Sequence, residues 1–64
     1  MATYTITIDT SSAAFDDSIS AELEWILQRL ARELHSTHRP PARMKLRDSN
    51  GLTVGEAIYT TSEN

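Results

Sequence analysis

The chain opens on strict alternation. In TYTITIDT, residues 3–10, Tyr4, Ile6 and Ile8 point one way and Thr3, Thr5 and Thr7 the other. Period two in β-branched and aromatic residues predicts a half-buried strand with a threonine face that tolerates water. A polar connection follows, SSAAFDDS, whose one aromatic, Phe15, is expected to pin it to the core. The pattern then changes period. Leu23, Ile26, Leu27, Leu30 and Leu34, with Ala31 beside them, recur at the spacing of one buried helical stripe. The helix is expected over 20–36, capped by Ser20 or by Ser18 two residues earlier, with Glu22 and Glu24 near its positive end. Pro40 and Pro41 forbid its continuation.

Two further strands, 43–48 and 52–60, flank RDSNGLTVGE. Asn50-Gly51 admits positive φ, so a hairpin turn belongs there. Two registers compete. An Asn-Gly loop of two residues pairs Arg47 with Val54 and Leu46 with Gly55. A loop of three, Ser49-Asn50-Gly51 with Gly51 left-handed, pairs Leu46 with Val54. A slip of one residue sends every side chain to the other face. The three-residue loop is preferred because it puts Met44, Leu46, Leu52, Val54 and Ile58 together, leaving Lys45, Arg47, Thr53 and Tyr59 opposite. Glu56 then interrupts the apolar face, and Gly55 marks a bulge or a close backbone approach.

The order strand, helix, strand, strand predicts a single α+β domain of two layers, β-α-β-β, with one amphipathic helix on a three-stranded antiparallel sheet. The third strand is the most apolar and is placed centrally. Residues 61–64 read as a disordered tail. The sheet face away from the helix has no cover, so it is polar or meets a second copy.

The helical phase makes Trp25 conspicuous. At about 100° per residue it falls opposite the apolar stripe, beside Arg29 and Arg32. The indole either lies along its own helix with Arg29, four residues on, over its face, or anchors an interface, since tryptophan and arginine dominate binding hot spots. Trp25, Arg29 and Arg32 are therefore the candidate protein-binding residues.

Charge sharpens this picture. The net charge is −3, but residues 1–28 carry five acids and no base. Residues 29–47 hold all six basic residues against Glu33, for +5, and residues 48–64 carry −3. The segregation fits helix-dipole complementarity, or a basic edge that receives an acidic partner or a phosphate backbone. Within it, Arg39, Arg43, Lys45 and Arg47 are the candidate nucleic-acid contacts.

There is no cysteine, so no disulfide or thiolate metal site is available, which fits a reducing cytoplasm. No apolar run approaches the ~20 residues of a membrane span, and the N-terminus does not read as a signal peptide. There is no phosphate-binding glycine loop, dinucleotide fingerprint or nucleophile elbow. His35 and His38, with Glu33, would make only a weak metal site at a fraying helix end, and Asp16 and Asp17 are adjacent, so their side chains diverge. The expectation is no enzyme, no cofactor and no metal.

Three segments, YTITIDTSSAAFDD, ELEWILQRLARELH and LRDSNGLTVGEA, resemble small uncharacterised proteins encoded on bacteriophages, prophages and plasmids. They cover about two-thirds of the chain. The resemblance implies a mobile-element origin and an accessory role, and supplies no catalytic or binding residues. Such relatives usually carry a small or charged residue where this chain has Trp25.

Three functions stay open. The favoured one is a stoichiometric factor that binds and inhibits or modulates a host protein, such as a defence or regulatory component, in the bacterial cytoplasm. The others are a small nucleic-acid-binding module and a purely structural homodimer. Homodimerisation is expected in any case, through a sheet edge or the Trp25 face, because a core this small offsets little backbone ordering.

Overall fold

The computed structural model, which describes residues 1–61, runs β1 (Ala2–Ile8), a 3₁₀ turn (Ala13–Phe15), α1 (Ile19–His35), β2 (Arg43–Arg47) and β3 (Thr53–Thr61). The strands form one antiparallel sheet in the order β1-β3-β2, with α1 on one face. The α+β architecture and the central third strand are as expected from the sequence. The predicted ends move by a residue or two. β1 stops at Ile8 because Asp9 turns the chain, its Oδ1 accepting from the backbone N–H and hydroxyl of Ser11. Those bonds, the hydroxyl's first, hold the Asp9 carboxyl below its usual range. β3 continues through Thr61, paired with Ala2, so the tail expected over 61–64 loses its first residue to the sheet. The remainder of that tail, 62–64, lies outside the described residues.

Of the two serines able to cap α1, Ser18 does so. Its hydroxyl accepts from Ala21 N–H at 3.1 Å, and the helix begins at Ile19 rather than at 20. At the other end the Ser36 and Thr37 hydroxyls donate to the carbonyls of Glu33 and Leu34. These bonds satisfy acceptors that the helix leaves open before Pro40.

The core is Phe15, Ile26, Leu30, Leu46, Val54 and Ala57, with Tyr4, Ile8, Leu23, Leu34 and Met44 packed around it. Phe15 is buried and holds the connection to the core, as its isolation among polar residues predicts. Leu27 does not join them. It was expected in the buried stripe but is 42% exposed. α1 runs closest to β2, and Leu27 sits mid-helix on the opposite flank, which is seated on the core only by Leu23 and Leu34.

The hairpin combines both candidate registers. Next to the turn it is the three-residue loop: Asp48 N–H donates to the Leu52 carbonyl, Arg47 faces Thr53, and Gly51 has φ +90°. Beyond that the register shifts between Leu46 and Arg47, and Leu46 faces Gly55 rather than the predicted Val54. Val54 is the extra residue of a bulge. The bulge corrects the predicted faces of β3. Ala57 and Tyr59 turn toward the helix, while Ile58 and Glu56 move to the open face, opposite Arg43 and Lys45. Glu56 therefore no longer interrupts the core. Leu52, predicted on the apolar face, is exposed at the turn.

The open face carries Thr3, Thr5 and Thr7 of β1, Glu56, Ile58 and Thr60 of β3, and Arg43, Lys45 and Arg47 of β2. It is polar, as an antiparallel sheet covered on one side should be.

Gly51 needs its conformation but not its space, because a Cβ there would touch nothing within 4 Å. Gly51→Ala is therefore expected to cost only the left-handed backbone, about 1 kcal/mol. A urea unfolding curve with an unchanged slope and a slightly lower midpoint checks this.

Candidate binding face

The phase of α1 follows from its buried residues. With Ile26 and Leu30 against the sheet, Arg29 and Glu33 turn toward β2 and Trp25 turns to the back of the helix. Trp25 is 37% exposed, and the Arg29 guanidinium carbon sits 5.1 Å from its ring centroid. This contact is the first of the two alternatives, the indole lying along its own helix under Arg29, and it still leaves the residue 37% exposed to a partner. It fixes an aromatic plane and a cation side by side on the surface. Arg32 is exposed on the same back face and makes no ion pair among the described residues.

Arg29 also belongs to a second feature. A groove of about 260 Å³ runs between α1 and β2, floored by Ile26, Leu30 and Leu46 and rimmed by Arg29, Glu33, Lys45 and Arg47. β2 is an edge strand, and Lys45 and Arg47, which alternate onto the open face, border the groove along that edge. Three cations against one carboxylate leave the groove positive, although the chain as a whole is acidic. Trp25, Arg29, Lys45 and Arg47 thus form one continuous surface that unites two groups of residues the sequence suggested separately.

The predicted nucleic-acid set does not stay together. Alternation along β2 puts Arg43, Lys45 and Arg47 on one side of the sheet. Arg39 lies over the Tyr59 ring at 5.4 Å, and Tyr59 faces the helix layer. Arg43 is partly neutralised by Glu56, its Nε 3.6 Å from Oε1. An exposed pair of this length adds little stability, but it does lower the charge offered to a phosphate.

Two acidic side chains, unremarkable in the sequence, are buried and hold the end of the hairpin. Asp48 is 1% exposed. Its Oδ1 accepts from the N–H groups of Asn50 and Leu52, both at 2.9 Å, and its Oδ2 from the Ser12 hydroxyl at 2.7 Å. The Ser12 bond leads and the backbone bonds add to it, keeping the carboxyl below its usual range against the opposing effect of burial. Glu22, also buried, takes the backbone N–H of Ser49 at 2.6 Å and its hydroxyl at 3.0 Å. These bonds tie the hairpin loop to both the 3₁₀ turn and the first turn of α1, so β2 and α1 flank the groove at a fixed spacing. Asp-Ser-Asn-Gly is a legible side-chain-assisted turn. Glu22 has no local signal, because its partner lies 27 residues away.

Among the described residues no three His, Cys, Asp or Glu side chains gather as metal ligands. No helix there is long and apolar enough to cross a membrane. The chain matches no protein-family model, no curated protein and no solved structure.

Proposed function

We propose that this protein is a non-enzymatic binding module whose Trp25–Arg29–Lys45–Arg47 face receives an acidic surface of a protein partner. The observation that carries the reading is the position of Arg29, which stacks on Trp25 and also rims the basic groove. An aromatic plane beside a cationic groove suits a partner that offers an apolar side chain flanked by carboxylates. Arg32 extends the same surface along the back of α1.

The resemblance to accessory proteins of phages, prophages and plasmids supports a host protein as the partner and simple occlusion as the mode of action. The module would bind one-to-one in the bacterial cytoplasm and alter a defence or regulatory component by covering it. A nucleic-acid partner is the competing reading, favoured by the row Arg43, Lys45 and Arg47. Against it stand Glu33 inside the groove, Glu56 on Arg43, and Arg39 turned to the other side of the sheet.

Capture from a bacterial lysate, run in parallel with wild type, Trp25→Ala and Arg29→Ala, tests the proposal. A protein retained by wild type should be lost from both variants, each of which should keep the wild-type helical signal. Fluorescence polarisation with labelled single- and double-stranded DNA at low salt tests the competitor. Binding that weakens equally with Arg43→Ala and Arg47→Ala, and that is indifferent to Trp25→Ala, would replace the protein partner with a phosphate backbone.

A further inference from the structure

The two edges of the sheet are unlike. β2 carries Arg43, Lys45 and Arg47, and Pro40 and Pro41 precede it, so charge and proline guard that edge. β1 is the other edge, and its seven residues, ATYTITI, contain no charge and no proline. Their hydrogen bonding is also fixed. Tyr59 N–H donates to the Ala42 carbonyl on the β2 side, so Ile58 and its alternates face β1 and bond Thr3, Thr5 and Thr7. The backbone groups of Tyr4, Ile6 and Ile8 therefore point outward, where no strand among the described residues meets them.

Ile6 makes the edge more conspicuous. It sits opposite Ala57 on the helix side of the sheet, yet it is 41% exposed. The helix has shifted toward β2 and left it uncovered. On the β1 side of α1, Leu27 is exposed and shares a shallow groove with Leu23 and Ala31, bordered by Ser20, Glu24 and Gln28. The chain exposes 4823 Å², whereas a folded chain of its mass usually exposes about 4,100 Å².

We propose that β1 is the seam of a two-fold dimer, pairing antiparallel with β1 of a second copy to make one six-stranded sheet. The occupant is a second copy because the surface is complementary to itself. An antiparallel pair built on a two-fold axis puts both helices on the same side of the sheet. An axis at Ile6 sets Ile6 on its own mate and Tyr4 against the mate's Ile8, using the outward backbone groups of all three residues. On the helix layer Leu23 and Ala31 flank Leu27 at equal spacing, so a two-fold axis at Leu27 sets each Leu23 against the mate's Ala31, apolar on apolar. The two flanks then face each other above the paired Ile6 side chains. On the open face threonines meet threonines, with no like charges opposed. Trp25 stays outside this contact, so the dimer presents two Trp25–Arg29 faces on the same side.

Sedimentation equilibrium through the micromolar range tests the dimer directly. Wild type should show twice the 7.2 kDa of one chain. Ile6→Lys, which charges the seam at a half-exposed position, and Leu27→Glu, which charges the helix flank, should each give the mass of one chain with the helical signal retained. A single-chain mass for wild type overturns the proposal and leaves the edge to an extended segment of a different protein. Dimers that persist in either variant overturn it as well, since another surface must then hold the copies together.

Discussion

Gly55→Ala is expected to abolish the cooperative unfolding transition. Gly55 follows the bulge and faces Ile8 across the β1–β3 pair. A Cβ there would overlap the Thr7 carbonyl oxygen and lie 2.9 Å from the Ile8 Cα. These are backbone atoms of a paired strand, so no side-chain rotation relieves the clash. Relief requires β1 to move off β3, and that movement breaks the ladder and uncovers Ala57. A cost on the order of 3 kcal/mol or more matches the mechanisms behind the largest single-residue effects. The single core of a chain this short rarely supplies more than about 3–5 kcal/mol. Thermal melting followed by far-ultraviolet circular dichroism should show a sloping, uncooperative trace, whereas Gly51→Ala should melt cooperatively. A sharp Gly55→Ala transition near wild type would show that β1 does not approach β3 this closely.

Asp48→Ala is the second large effect. Truncation strands the Ser12 hydroxyl and the Asn50 and Leu52 N–H groups at a site almost closed to water. Buried donors without acceptors are costly, and the turn that seats Ser49 on Glu22 is lost with them. The melting temperature should fall further than with Gly51→Ala. Asp48→Asn separates charge from geometry, because its amide oxygen can still serve the turn. The native carboxyl is held below its ordinary value of 3.8. Its stabilising contribution is therefore fully present above that value and disappears as the pH falls through the lower native one. In Asp48→Asn the acid limb of the melting-temperature profile should flatten, keeping the slope due to Asp9. An acid limb identical to wild type would remove Asp48 from the account.

How far the sequence reaches differs from element to element. The alternation of residues 3–8 and the stripe on α1 fix two elements and their buried faces, so the outward direction of Trp25 is legible from phase alone. The hairpin is legible only near its turn. Gly51 fixes the three-residue loop, but the bulge at Val54 exchanges the faces of Ile58 and Tyr59. Glu56 was the available signal: a carboxylate interrupting an otherwise apolar face suggests that the face changes before it. Leu27 illustrates a different limit. Helical periodicity defines a stripe but not how far the helix sits to one side of its sheet, and that offset leaves Leu27 and Ile6 exposed. The basic window shows that closeness in sequence is not closeness in space. β alternation gathers Arg43, Lys45 and Arg47, the loop carries Arg39 away, and only the packing of α1 beside β2 brings in Arg29.

The emission of Trp25, the only tryptophan in the chain, reports directly on the proposed face. Titration with peptides rich in aspartate and glutamate around one apolar residue should shift and saturate that emission. The response should weaken as salt is added and vanish in Arg29→Ala, and single-stranded DNA should leave the signal unchanged. Emission that is unmoved by every acidic peptide but responds saturably to DNA would contradict an acidic protein partner at this face.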